Sequence, residues 1–577
     1  MLASLVVGVL TASAVPAHPR PVEVTQSDGT RLTIRLVGDE FYHQTITTDG
    51  YTVIKNGKGD YVYAQLDGSR LVPSDVIAHN PQVRGAGELR MLSSLQKGMT
   101  DKVLVAQGKQ FRNNRDSKMT KKREDYENFR GLVILINFND KYFTYGKEYF
   151  DPMMNEENYK GFYTTDGRFI SCTGSARDYY YDNSMGQFDP HFDVVGPVPV
   201  NYSCTSPQGT NNVGNIFVSA VNALDPTVDF SKYDGDGDGV VDMIYFVVAG
   251  YTSNFGGNNS GYLWPHQFYM YYFTYQTYDG VYLGRYACSG EIYGWEDYGY
   301  VDPDGIGTMC HEFTHVLGIM DLYDTDYDTN GYANDPGDWD VMSGGSYLNN
   351  SRTPAGYTIW ERYRLGFADI EQITEMKPDY TLEAVNVSNT GYWISTPNDN
   401  EYFILENRQR TGWDAYLPGH GMLVTRVEYD ENQWWNNTIN ADASHMYYEL
   451  LRAGNGYGSN SNDPFPGTDS VTTLNNLTTP SLLTWNGQAN ELGIADITET
   501  DGIITFGIVN GDGTAPSHGF EPGDVNHDNA ITIKDVTVLI NYLLTDQEIC
   551  LICADVYQDG NINIKDVTTL INILLNQ

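Results

Sequence analysis

The apolar positions of this chain open with Leu2-Ala3-Ser4-Leu5-Val6-Val7-Gly8-Val9-Leu10, a run too short to span a bilayer, followed by the small residues Ala12, Ser13, Ala14 and Ala17. A short apolar core followed by small residues predicts a secretory signal peptide over residues 1–17, cleaved after Ala14 or Ala17. The basic residues that usually open such a segment are absent from it. No later stretch stays apolar long enough for a membrane helix, so export without a membrane span is expected.

From about residue 18 to 110, Leu32, Ile34 and Leu36 alternate with polar residues, the period of a half-buried strand. Asp49-Gly50, Asn56-Gly57 and Asp67-Gly68 mark hairpin turns, so small antiparallel β structure is expected here. Arg112, Arg115, Lys118, Lys121, Lys122 and Arg123 then bunch in a polar stretch. It reads either as a solvated linker or as a site where a trypsin-like protease separates a prosegment from the enzyme. Continuous apolar runs at 131–136 and 243–249 fit central strands of an α/β sheet. Ile306, Met309, Phe313, Val316 and Leu317 recur every three or four residues, the stripe of a helix packed on that sheet.

Residues 360–365 predict a further helix, and from about 375 to 509 the pattern returns to strands, clearest at 402–405 and 421–424. Asn510-Gly511-Asp512-Gly513-Thr514-Ala515-Pro516 is a linker by composition. Beyond it lies an internal repeat, in which 524–544 aligns with 555–575 at an offset of 31. Ile531-Thr532-Ile533-Lys534-Asp535-Val536-Thr537 answers Ile562-Asn563-Ile564-Lys565-Asp566-Val567-Thr568. Each copy is an oxygen-rich loop followed by an amphipathic helix.

Charge narrows the function. Asp and Glu number 75 against 35 Lys and Arg, a net charge of -40. That excess argues against nucleic acid or an anionic membrane as partner, and suggests that bound cations neutralise some of the carboxylates. The 6 cysteines are too few for a disulfide scaffold. Cys172 with Cys204 and Cys288 with Cys310 are candidate bridges. Cys550 and Cys553 form a lone CxxC with no second pair, which disfavours a zinc ribbon. Cys310 abuts His311 and is expected to be buried rather than a reactive thiol.

The chemistry concentrates in His311-Glu312-Phe313-Thr314-His315, continuing through Gly318 to Asp321. Histidines at i and i+4 share one helix face, so both imidazoles can reach one zinc ion with Glu312 left to act on a water. Gly318 can end the helix in the left-handed conformation and return the chain, bringing Asp321 round as an oxygen ligand. Asp324, one turn on, and Glu361, on the predicted helix, are the alternatives for that third ligand. Met342 lies 21 positions beyond Asp321 in Trp339-Asp340-Val341-Met342-Ser343-Gly344-Gly345. A Met before a glycine-rich turn suits the methionine turn beneath many such sites. Tyr347 is a weaker candidate for an oxyanion donor, with a core role as its alternative.

Hard cations need several oxygens on a tight turn. Asp524, Asn526, Asp528 and Asp535 take positions 1, 3, 5 and 12 of a calcium loop in the first repeat. Asp555, Asp559 and Asp566 take 1, 5 and 12 in the second, with Tyr557, a poor ligand, at position 3. A third loop, Asp234, Asp236, Asp238, Gly239 and Asp242, is the first half of an EF-hand-type site and would be structural.

Taken together, roughly residues 126 to 510 resemble secreted zinc metalloproteases of the immune inhibitor A type. The likeness rests on Ser175-Ala176-Arg177-Asp178-Tyr179-Tyr180, Phe192-Asp193-Val194-Val195-Gly196-Pro197, the calcium loop, Trp264-Pro265-His266 and 311–324. Glu406-Asn407-Arg408 and Pro418-Gly419-His420-Gly421-Met422-Leu423 extend it. The C-terminal repeat resembles a type I dockerin, the calcium-dependent module that docks onto cohesins, although Asn529 and Tyr557 depart from its pattern. The resemblance implies a zymogen and a multidomain chain: signal peptide 1–17, β-rich prosegment 18–125, α/β metzincin-like zinc protease domain 126–370, β-rich domain 371–510, linker 511–521 and a small α-helical calcium-binding dockerin 522–577. No cysteine precedes residue 172, so a prosegment that blocks the zinc must use a carboxylate or simple occlusion.

The expected function is therefore a secreted zinc endopeptidase, with a zinc-activated water, Glu312 as general base, a protein or peptide substrate and a cohesin-type partner. Two rivals stand beside it: a non-catalytic protease-fold binding protein, and a zinc amidase acting on cell-wall material.

Overall fold

A computed structural model describes residues 15–576, except 19, 40–41, 103–125, 127, 208–209, 256–260, 326–332, 455, 515–521, 527–529, 546–548, 550 and 560. The apolar leader to Ala14, the basic stretch from Arg112 to Arg123, Asp528, Asn529 and Cys550 lie outside the described residues. Among the described residues no helix is long and apolar enough to cross a membrane. The chain divides into two units: 1–368 with 410–418 and 429–449, and 369–409 with 419–428 and 450–577.

In the first unit, residues 22–77 form a six-stranded antiparallel meander, each strand paired with the next in sequence. The alternation read from the sequence holds there, with Leu32 and Ile34 buried in its core beside Val53, Tyr61 and Tyr63. One turn differs in detail. Gly59, with φ 86°, takes the left-handed position after Asn56, so the loop is longer than an Asn56-Gly57 hairpin. The β expectation for 18–110 is also corrected at Ala86–Leu92, which is a helix. It tucks Glu88 inward to accept from Tyr63 Oη at 2.7 Å.

The same unit contains a five-stranded mixed sheet in the order His191–Pro199, Arg130–Asn137, Ile244–Val248, Arg285–Gly290, His266–Tyr269. The first four strands are parallel and the last is an antiparallel edge. Leu132, Ile134, Ile136, Ile244, Phe246 and Val248 turn one face toward the helix Thr210–Leu224, where Phe217 stacks on Phe246 at 4.0 Å. The opposite face carries the helix Gly307–Leu317, every residue of which is buried.

This two-sided arrangement corrects the cysteine pairing. Cys172, Cys204, Cys288 and Cys310 are all free thiols. Cys288 belongs to the core on the Thr210–Leu224 face, whereas Cys310 rides on the helix across the sheet, and alternate residues of a strand cannot serve both faces. Cys310 is buried, as expected.

In the second unit, Tyr392–Ser395, Glu401–Arg408 and Gly421–Glu428 pair antiparallel, and Tyr380–Leu382, Ile503–Asn510 and Leu492–Thr500 form a smaller sheet. Phe403, Leu405, Met422, Val424, Ile504 and Phe506 share one core. The C-terminal repeat contributes the helices Ile533–Thr545 and Ile564–Leu575, joined through Val536, Leu539, Val567 and Leu570.

Candidate active site

The helix Gly307–Leu317 ends at Gly318, whose φ of 109° is open to glycine and costly for other residues. Ile319 N–H bonds back to Thr314 O at 3.2 Å, closing a Schellman-type cap. The chain thereby reverses and delivers Asp321 to the face that carries both histidines. His311 Nε2 and His315 Nε2 lie 3.1 Å apart, and Asp321 Oδ1 is 3.2 and 3.1 Å from them. All three residues are buried.

Each imidazole is fixed from behind by a main-chain carbonyl: His311 Nδ1 faces Val341 O at 2.7 Å, and His315 Nδ1 faces Ile319 O at 2.8 Å. A carbonyl only accepts, so Nδ1 carries the proton and each neutral ring turns the Nε2 lone pair into the cluster. Two lone pairs and a carboxylate oxygen converging in a buried space call for a cation. Tetrahedral zinc, with bonds of about 2.0–2.1 Å, sets its ligands about 3.3 Å apart, close to the observed triangle, so these residues fit the ion. Burial pushes His315 below its ordinary pKa, against the pull of Asp321.

The alternatives for the third ligand are engaged elsewhere. Asp324 accepts Ala333 N–H at 2.9 Å, and Glu361 closes a capping box with Thr358 at the start of Ile359–Arg364. Met342 is buried, and its carbonyl accepts Leu322 N–H at 3.0 Å, tying the turn beneath the site to the segment leaving Asp321. Asn437 had no sequence signal. It accepts Asp321 N–H through Oδ1 at 2.8 Å and donates from Nδ2 to Asp321 Oδ2, clamping that carboxylate from both sides.

Glu312 is buried and receives a partner the sequence did not suggest. Val15 N–H donates to its Oε1 at 2.7 Å. The adjoining segment is held along its main chain: Trp264 Nε1 donates to Val15 O at 3.1 Å, Tyr347 Oη to Pro16 O at 2.6 Å, and His18 N–H to Asn254 O at 2.9 Å. Of the two expected modes of blockage, a carboxylate on the zinc or simple occlusion, the contact at Glu312 is a backbone N–H and no carboxylate among the described residues of this segment is placed there. Tyr347 is buried in the core around Val15, Phe255, Tyr293 and Trp295, and its hydroxyl donates to the Pro16 carbonyl.

Of the calcium loop, Asp234, Asp236 and Asp238 bring carboxylate oxygens within 4.8 Å of one another. Asp242 stands apart from that group and accepts Gly235 N–H through Oδ2 at 2.9 Å, bracing the turn. Asp234 Oδ1 is buried without a hydrogen-bond partner, a carboxylate oxygen suited to a cation. In the repeats, Asp535 accepts the amides of Asn526 and Thr532, and Asp566 those of Tyr557 and Asn563, each at 3.0 Å or less. Asp555 Oδ1 accepts Asp559 N–H at 3.0 Å, and Lys565 Nζ meets Asp559 at 2.9 Å. Asp524 is buried in its loop.

Among known proteins, residues 99–363 match the family described as immune inhibitor A peptidase M6, catalytic domain, and residues 522–575 match the dockerin type I domain. Immune inhibitor A of Bacillus thuringiensis subsp. alesti is 28% identical over 224 residues, covering 35% of this chain and 30% of that protein. The pre-pro-metalloprotease PrtV of Vibrio cholerae serotype O1 (strain M66-2) is 26% identical over 247 residues, covering 37% of this chain and 25% of that protein. The match therefore spans less than a third of either relative. Residues 99–363 thus resemble the catalytic domain of the immune inhibitor A (M6) peptidases, and residues 522–575 resemble a type I dockerin domain.

Proposed function

We propose that this protein is a secreted zinc-dependent endopeptidase, made as a zymogen and docked through its dockerin onto a cohesin-type partner. The observation that carries the reading is the buried triangle of His311 Nε2, His315 Nε2 and Asp321 Oδ1 beside the Glu312 carboxylate. Zinc in that triangle would supply a Lewis acid that polarises the scissile carbonyl and lowers the pKa of water toward about 7. Glu312 takes a proton from the attacking water and passes it to the leaving amine as the C–N bond breaks. Tyr347, whose hydroxyl donates to the Pro16 carbonyl, is the natural donor to the substrate carbonyl oxygen. Asn437 and the carbonyls of Val341 and Ile319 orient the ligands.

Latency follows from the N-terminal segment. With Val15 N–H on Oε1 and the main chain of residues 15–18 held by Trp264, Tyr347 and Asn254, the segment occupies the place beside the base that substrate would take. Removing the segment, with a cut in the basic stretch 112–123 as the proposed trigger, would free the base. Calcium at Asp234, Asp236 and Asp238 would brace the loop ahead of the strand Ile244–Val248. In the dockerin, Ile533, Leu544, Ile564 and Leu575 are exposed at matching places of the two repeats, and supply apolar surface for a partner. The cell-wall amidase reading would use the same ligands and the same Glu312 base, and the main-chain contacts to residues 15–18 favour a peptide substrate over it, whereas the binding-protein reading gives Glu312 no role.

The metal part is tested by elemental analysis of the full-length chain. One zinc per chain is expected, falling by about tenfold or more in His315→Ala at equal metal supply. A folded wild-type chain that takes up no zinc contradicts the reading.

A further inference from the structure

We infer that Phe255, Tyr293, Trp295 and Tyr347 form a side-chain-reading pocket of the cleft. Once the N-terminal segment leaves, this pocket takes a flat neutral ring with a hydrogen-bonding edge from the substrate, histidine foremost and then tyrosine. The inference deepens the peptidase reading above and rests on it.

In the structure the pocket is filled by His18, which is buried among the four rings. Its ring centroid lies 4.9 Å from Tyr347, 5.1 Å from Phe255, 5.2 Å from Trp295 and 5.8 Å from Tyr293. Tyr293, Trp295 and Tyr347 meet it edge-on, at interplanar angles between 77° and 85°. Edge-to-face contacts of this kind favour a planar aromatic guest over a branched aliphatic one.

The polar atoms of the walls are mostly spoken for. Asn254 Nδ2 donates to Tyr347 Oη at 2.9 Å, and Trp295 Nε1 donates to Phe255 O. Tyr293 Oη is the group that meets the guest, 2.9 Å from His18 Nε2. Because His18 Nδ1 accepts Arg20 N–H at 3.3 Å, Nε2 carries the ring proton and donates to Tyr293. Burial lowers the His18 pKa to about 3, so the ring held is neutral and the pocket is not a cation cage.

Position makes this a subsite. The segment reaches Glu312 through Val15, and its links to Trp264, Tyr347 and Asn254 use only main-chain atoms. Such contacts hold any extended peptide, and alternate side-chain pockets then supply selectivity. His18, three residues from the amide on the base, enters a pocket built on the cleft itself.

The test has two arms. In the first, enzyme activated from the folded full-length chain digests a mixed peptide library, and cleavage sites are read by mass spectrometry. Histidine and tyrosine should be enriched at one fixed position within a few residues of the cut. Tyr293→Phe should reduce the preference for histidine over phenylalanine by about tenfold, the worth of one buried hydrogen bond. The second arm needs no catalysis: hydrogen exchange of the main-chain amides at 17 and 18 in the unprocessed chain. His18→Ala should speed exchange by about tenfold or more, while His18→Tyr stays close to wild type. A library profile with no ring residue at any fixed position, or with lysine or arginine there, overturns the inference, as does equal exchange in all three chains. If no library peptide is cut at all, the peptidase reading fails and the exchange arm alone decides the pocket.

Discussion

The backbone N–H of Val15 donates to Glu312 Oε1 at 2.7 Å across 297 residues of sequence, so the proposed base is held by the chain's own N-terminal segment. Cleavage of the leader after Ala14 leaves Val15 in place as the N-terminus, its free α-amine still a donor to Glu312, whereas cleavage after Ala17 removes Val15, Pro16 and Ala17 from the cleft. N-terminal sequencing of the secreted, unprocessed protein should therefore read Val15. The otherwise intact chain lacking residues 15–17 should hydrolyse casein without processing, at least about tenfold faster than the chain that retains them. Equal rates would show that the segment does not enforce latency.

Asn437 holds Asp321 through both its main-chain N–H and its carboxylate. Replacing it by Ala leaves the carboxylate free to rotate in a buried site. Asn437→Ala should lower zinc affinity by about 10–100-fold, measured by competition with a chelator, with little loss of fold. Unchanged affinity would remove Asn437 from the account.

Gly307 opens the active-site helix where its backbone presses on the loop after the methionine turn. A Cβ there would lie 1.9 Å from Ser346 O. Gly307→Ala must push the helix off that loop, and should cost about 1–3 kcal/mol in denaturant unfolding together with activity. A fully stable, active variant would mean that the contact yields easily.

Glu291 and Asp304 are buried carboxyls pushed up by desolvation to about 7, even though Thr144, Tyr145 and Gly250 donate amides to the first and Thr308 donates its hydroxyl to the second. The folded protein keeps both protonated to near pH 7, while the unfolded chain releases those protons near the ordinary 4.5 and 3.8. In that window the folded state binds more protons, so their contribution is fully present below about pH 4 and is lost as pH rises through about 7. Unfolding free energy should fall by about 1–3 kcal/mol from pH 5 to pH 8, and less steeply in Asp304→Asn. A flat or rising profile would contradict it.

What the sequence made legible was local. The i, i+4 histidines, Gly318 and Asp321 lie within one helix and its cap, where spacing alone fixes geometry, and they assemble as read. The apolar runs at 131–136 and 243–249 announced buried strands because both faces of the sheet are covered. Contacts that depend on distant segments left no such trace. Asn437 reaches Asp321 from 116 residues away, and Val15 reaches Glu312 from the other end of the unit. Cys288 and Cys310 looked pairable until the sheet placed them on opposite faces. Asp242 sat at a plausible ligand offset, and its carboxylate accepts the Gly235 amide beside the cluster of Asp234, Asp236 and Asp238.

The central claim is a zinc peptidase with Glu312 as its base. The most direct measurement is casein hydrolysis by enzyme activated from the full-length chain, with and without a zinc-selective chelator, beside Glu312→Gln prepared in the same way. The account predicts that the chelator abolishes activity and added zinc restores it. Glu312→Gln should keep its zinc and lose activity by about 100-fold or more. Hydrolysis that survives either treatment, or a zinc-loaded and folded wild type that cuts no peptide, would contradict it.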